Sequence, residues 1–168
     1  MAKHYESQTV FNYNLEQVLQ GFWRRYPNPY SLHVLSEDTV EREIRADGKL
    51  YSKRLITKTN KLPKWAERVF SHVKQVCVIE ESVVDMESKT LTTYTRNIGL
   101  NKIMVSDKII GWIRSSNLQQ FQSVVEKVVY RSDPHGHKTV AHRSALIDSH
   151  VFGLATPIRA FGCERFKK

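Results

Sequence analysis

Arg25 and His33 bracket an unusual corner, Arg25-Tyr-Pro-Asn-Pro-Tyr-Ser-Leu-His-Val34. Lys58 and Lys61 open a second unusual string, Lys58-Thr-Asn-Lys-Leu-Pro-Lys-Trp65. Pro27 and Pro29 fix φ, and Pro29 biases Asn28 toward an extended shape. The corner therefore holds its arginine and histidine on a stiff support. In the strand before the second string, period-2 alternation puts Arg54, Ile56 and Lys58 on one face, with Lys61 just past the strand end. Lysine and arginine are almost never fully buried unless paired. Two readings follow. The face is solvated, with side chains that snorkel, or it is a cationic rim on an apolar cavity that holds a phosphate. Arginine forks two phosphate oxygens, and lysine adds a point charge.

The segment Leu62-Pro-Lys-Trp65 is open to two readings as well. A proline-started turn carrying an aromatic beside a cavity suits a lid. Alternatively, Trp65 plugs the core under a crossing loop.

The elements that must position these residues are legible. Residues 4–11 read as a strand. Asn14 then caps a helix with Gln17 three positions on, a capping-box spacing. Leu15, Val18, Leu19, Phe22 and Tyr26 form its apolar face, and the proline corner stops it. Strands are expected at 34–45 and 50–59 around Asp47-Gly48. Two further pairs, 73–84 with 90–98 and 123–132 with 138–149, turn at 85–89 and 133–137. Residues 65–70 read as a short helix-like piece. From about Val151, Leu154, Ala155, Ile158 and Phe161 recur at helical spacing, weakened by Pro157 and Gly162. Seven strands in hairpins with an early and a late helix make one α+β domain over residues 1–168.

The formal net charge of +9 favours an anionic partner, whether nucleic acid, a membrane surface or an anionic lipid. Against nucleic acid, no recognition helix or aromatic-basic pattern is present, and Lys and Arg are spread along the chain. A non-transferring scaffold is the other rival. No Gly-x-Ser-x-Gly elbow, Gly-rich phosphate loop or His-Glu-x-x-His occurs, and the carboxylates, such as Glu41 and Glu43, fall mostly on exposed alternating positions. No catalytic residue is expected, and the chain is not read as an enzyme. His135-Gly-His137 lacks further ligands at metal spacing, so no metal is expected. No cofactor is implied. Cys77 and Cys163 read as reduced structural thiols. No apolar run approaches the ~20 residues of a spanning helix, so a soluble or peripheral protein is expected. The N-terminus, Met-Ala-Lys-His-Tyr-Glu, has no apolar signal core.

The proline corner, the lysine-tryptophan string and Tyr94-Thr-Arg-Asn97 together resemble the PRELI family of lipid-transfer proteins of the mitochondrial intermembrane space. The resemblance runs from the N-terminus to about Met104 and resumes at Ser123. It implies a curved seven-stranded antiparallel sheet wrapped on a C-terminal helix, with a lipid cavity between them. It also implies that Arg25, His33, Lys58 and Lys61 bind the phosphate head group of phosphatidic acid. Leu62, Pro63, Lys64 and Trp65 would then form a mobile lid that touches anionic membrane. Location in the intermembrane space and a small helical partner of the twin Cys-x9-Cys class are implied in the same way.

The chain departs from the family pattern twice. Eighteen residues, 105–122, separate Asn101-Lys-Ile-Met104 from Ser123-Val-Val-Glu-Lys-Val128, which the family joins directly. They read either as a tolerated loop insertion or as a retained intron, since eighteen codons keep the frame. The family's final helix continues past the point matching Lys168, so a shortened C-terminal helix is expected.

Overall fold

The structure, a computed structural model, describes residues 3–59, 75–98, 122–149, 156 and 160. Seven strands and one helix appear among them: β1 (Lys3–Phe11), α1 (Leu15–Trp23), β2 (Val34–Ile44), β3 (Leu50–Thr59), β4 (Gln75–Asp85), β5 (Thr90–Ile98), β6 (Gln122–Ser132) and β7 (Thr139–Ser149). All seven strands join one curved antiparallel sheet in the order β1-β7-β6-β5-β4-β3-β2. The class is α+β, as the alternation and hairpin turns predict.

The topology forces a crossing. β1 and β2 are separated in sequence only by α1 and the proline corner, yet they form opposite edges of the sheet. The connection must therefore traverse one face. Phe22 packs with Val84 of β4 and Leu91 of β5, flanked by Leu19, Trp23, Leu50 and Tyr130. That inner face carries the strand residues of matching parity, among them Ser52, Arg54, Ile56, Val78, Glu80, Ser82, Thr93, Ala145 and Ile147, all buried. Opposite them, Tyr94, Val125 and Leu146 are exposed.

α1 begins as its sequence predicts. Asn14 Oδ1 accepts from the Gln17 amide at 2.9 Å, and Gln17 Oε1 accepts from the Asn14 amide at 3.2 Å. The helix ends earlier than the apolar spacing suggests. Arg24 is the C-cap, so Tyr26 lies beyond the helix, on the corner. Pro27 disfavours the helical region for Tyr26, and its match to the helical period is incidental. Two tight turns use positive φ at glycine, Gly48 and Gly136, each at 75°.

Several expectations lie outside the described residues. They include the 62–65 lid, Lys61, the 65–70 piece and residues 105–121 of the insertion. Gln122, assigned to the insertion from sequence, opens β6 and pairs with Ser149. Of the late helix, Thr156 and Ala160 are described, and both are helical.

Candidate functional site

β3 carries its arginine inward. Arg54 and Ile56 are each only 1% exposed, so the solvated-face reading is wrong. A buried guanidinium needs partners, and the strand pairing supplies one. Arg54 stands opposite Glu80 on β4. Arg54 Nε donates to Glu80 Oε1 at 3.0 Å, and its Nη atoms pair with Glu80 and with Glu37 on β2. The guanidinium also lies 4.5 Å from the Phe22 ring centroid. This arginine is consumed by the fold.

The expectation that the carboxylates sit mostly on exposed positions therefore fails at Glu80, which is 3% exposed. β4 holds the doublet Glu80-Glu81 inside an apolar strand. Alternation must turn one of the two inward. Glu80 goes in, and Glu81 goes out to accept from the Tyr51 hydroxyl at 2.9 Å.

Arg25 approaches the same carboxylate from the proline corner. Its Nη2 donates to Glu80 Oε2. Its guanidinium is stacked 4.6 Å from the Phe22 centroid and 5.0 Å from that of Tyr26. Among the described residues, its Nε is buried and has no hydrogen-bond partner. A buried donor without an acceptor would favour an oxyanion that displaced what now covers it.

His33 and Lys58 meet at the neighbouring strand ends. The Thr59 amide donates to the His33 carbonyl at 2.8 Å, and Val34 pairs with Lys58 across β2 and β3. Both side chains are half-buried. Lys58 also shares an electrostatic neighbourhood with Arg25. The carboxyl of Glu126, on the inner face of β6, is held above its usual range by burial. The charges of Arg143, Lys58 and Arg25 oppose that shift, in that order. Arg143 Nε pairs with Glu126 at 2.8 Å. Burial likewise raises the Tyr130 phenol, again against the charges of Arg25 and Arg143.

The structure thus joins His33 and Lys58 through the paired strand ends and seats Arg25 on Glu80, with the charges of Arg25 and Lys58 both felt at Glu126. Lys61 lies outside the described residues. Sequence reasoning missed Glu80, which holds Arg25 and Arg54, Glu37, which pairs with Arg54, and the Glu126–Arg143 pair. Among the described residues no group of acidic, histidine or cysteine side chains could hold a metal ion. A shallow groove on the opposite face, near Glu6, Gln8, Lys127 and His142, includes neither Arg25 nor Lys58.

The sequence of residues 16–110 matches the model of the PRELI-like family. The chain belongs to the PRELI-like family. It is 42% identical over 171 residues to PRELI domain-containing protein 1, mitochondrial, of Bos taurus, covering 99% of this chain and 69% of that protein. It is 40% identical over 104 residues to Protein UPS1, mitochondrial, of Saccharomyces cerevisiae, covering 62% of this chain and 59% of that protein. Both relatives are named mitochondrial. Among solved structures, TTHA0849 from Thermus thermophilus superposes with a TM-score of 0.55 at 12% identity, covering 96% of this chain and 85% of that one. Ara h 8.0201 gives 0.52 at 9% identity, covering 99% and 91%. At such identity these two likenesses speak to the fold alone.

Proposed function

We propose that this PRELI-family protein is a phospholipid carrier. It extracts phosphatidic acid from one mitochondrial membrane, shields the acyl chains between the inner face of the sheet and the C-terminal helix, and releases the lipid at another. It works in the intermembrane space, and no bond is made or broken. The observation that carries this reading is Arg25. It is held by Glu80 on the buried face, its Nε has no hydrogen-bond partner among the described residues, and Lys58 and Arg25 both act on the Glu126 carboxyl.

Phosphatidic acid suits such a site because its head group is small and bears up to two negative charges on one phosphate. A choline head group would bring a bulky cation against like charges. Arg25, His33, Lys58 and Lys61 are the head-group ligands in this reading. The small helical twin Cys-x9-Cys protein is its proposed partner, supported by the family resemblance.

Leu62, Pro63, Lys64 and Trp65 are the lid. Trp65→Ala is expected to slow loading and unloading at vesicles more than it lowers lipid capacity at equilibrium, because a gate alters rates. Stopped-flow transfer and end-point loading separate the two effects. A large fall in melting temperature with normal transfer rates would make Trp65 a core plug.

The function itself is tested by transfer of labelled phospholipids between liposomes. Phosphatidic acid should move catalytically, and phosphatidylcholine far more slowly. Equal transfer of both would remove the head-group assignment, and no transfer of either would remove the carrier reading.

A further inference from the structure

The proline corner carries more than Arg25 and His33. Its outermost residues, Tyr30 and Leu32, are 96% and 81% exposed. Pro27, Pro29 and Arg24 are exposed as well. A soluble surface seldom presents a tyrosine and a leucine this openly on one short tip without a use for them.

The tip is stiff, and several of its polar atoms are bonded within it. Asn28 Nδ2 donates to the Arg25 carbonyl at 2.7 Å, and Asn28 Oδ1 accepts from the Tyr30 amide at 2.8 Å. The Ser31 amide donates to the Asn28 carbonyl at 3.0 Å, and the Val34 amide to the Ser31 carbonyl at 2.9 Å. Pro27 and Pro29 have no amide hydrogen at all. At the tip the Tyr30 and Ser31 amides are therefore already bonded, and Pro29 has none to lose, which lowers the cost of moving them out of water.

We infer that the Tyr30–Leu32 tip is a membrane anchor that inserts into the interfacial region of an anionic bilayer. Tyrosine prefers that depth, with its ring among acyl chains and its hydroxyl at the head groups. Arg24 and the +9 formal charge provide the attraction that brings an anionic surface to it. The anchor is placed to matter. Arg25 and His33 flank it in sequence, and His33 is bonded to the end of β3 beside Lys58. A bilayer seated on the tip lies next to the cationic cluster.

The inference concerns membrane contact and does not need the carrier reading. Its test is flotation with vesicles of phosphatidylcholine alone and of phosphatidylcholine with phosphatidylglycerol, an anionic lipid that is not the proposed cargo. The double variant Tyr30→Ser, Leu32→Ser should reduce binding to the mixed vesicles at least about tenfold, the loss expected when two apolar side chains that are only partly buried in the interface are withdrawn. Its melting temperature should not move. Tyr13→Ser, which alters an exposed tyrosine outside the corner, should bind as the unsubstituted chain does. Unchanged vesicle binding by the double variant would overturn the anchor. So would loss of a protein partner with vesicle binding intact, which would assign the tip to that protein. If the unsubstituted chain moved no phosphatidic acid while its vesicle binding still depended on Tyr30 and Leu32, the carrier reading would fall and the anchor would stand.

Discussion

Replacing Glu80 with alanine is expected to cost the fold about 3–5 kcal/mol, because it leaves a buried guanidinium without its main partner. Arg54 is 1% exposed and gives Glu80 both its Nε and an Nη donor. Arg25 loses its carboxylate in the same substitution. Glu37 still pairs with one Nη of Arg54, but it leaves the Nε and the other Nη without an acceptor. For a domain of this size the loss corresponds to a fall in melting temperature on the order of 6–20 °C. Thermal denaturation followed by circular dichroism measures it. The double variant Arg54→Met, Glu80→Leu should lose less than Glu80→Ala, because the charges it leaves unpaired, Glu37 and Arg25, are only partly buried, whereas Glu80→Ala strands the fully buried Arg54. A melting temperature for Glu80→Ala unchanged from the unsubstituted chain would show that the network contributes nothing.

Lys58→Val is expected to leave the fold intact and to cut phosphatidic acid transfer about ten- to hundredfold. Losing one hydrogen bond to a charged group costs ~1.5–3 kcal/mol, and each ~1.4 kcal/mol is tenfold. Valine is favoured in strands, Lys58 is only half-buried, near the end of β3, and Glu126, whose charge it counters, keeps Arg143 at 2.8 Å. Arg25→Ala should reduce transfer comparably, but it also releases Glu80 and must be read beside its melting temperature. Unchanged transfer in both variants would remove these residues from the head-group site.

The parts of the fold that were legible in the sequence are local. Alternation, the Asn14 cap and the turns at Asp47-Gly48, 85–89 and 133–137 each depend on a few consecutive residues, and all are present. The inward face of Arg54, Ile56 and Lys58 was legible as a face, but its burial was not. Burial depends on what α1 brings across the sheet and on the register of β3 against β4. Fifteen residues separate those strands, 60–74, so no turn fixes the register at sequence level. The doublet Glu80-Glu81 was the missed signal. Adjacent acids in one strand point to opposite faces, so one of them turns to the inner face, and the inward one demands a cation. The Glu126–Arg143 pair had no such local signature, because β6 and β7 place it diagonally across a register visible only after folding. Tyr26 shows the opposite error, a periodic match that proline chemistry overrides.

The most direct measurement is native mass spectrometry of the purified chain, followed by lipid extraction. A carrier with an enclosed acyl-chain site and a phosphate-binding cluster is expected to emerge with one phospholipid per chain, enriched in phosphatidic acid over the host membrane. Lys58→Val should lose that enrichment while its melting temperature holds. A chain that is folded, monodisperse and free of phospholipid, and that stays free after incubation with phosphatidic acid vesicles, would contradict the carrier reading outright.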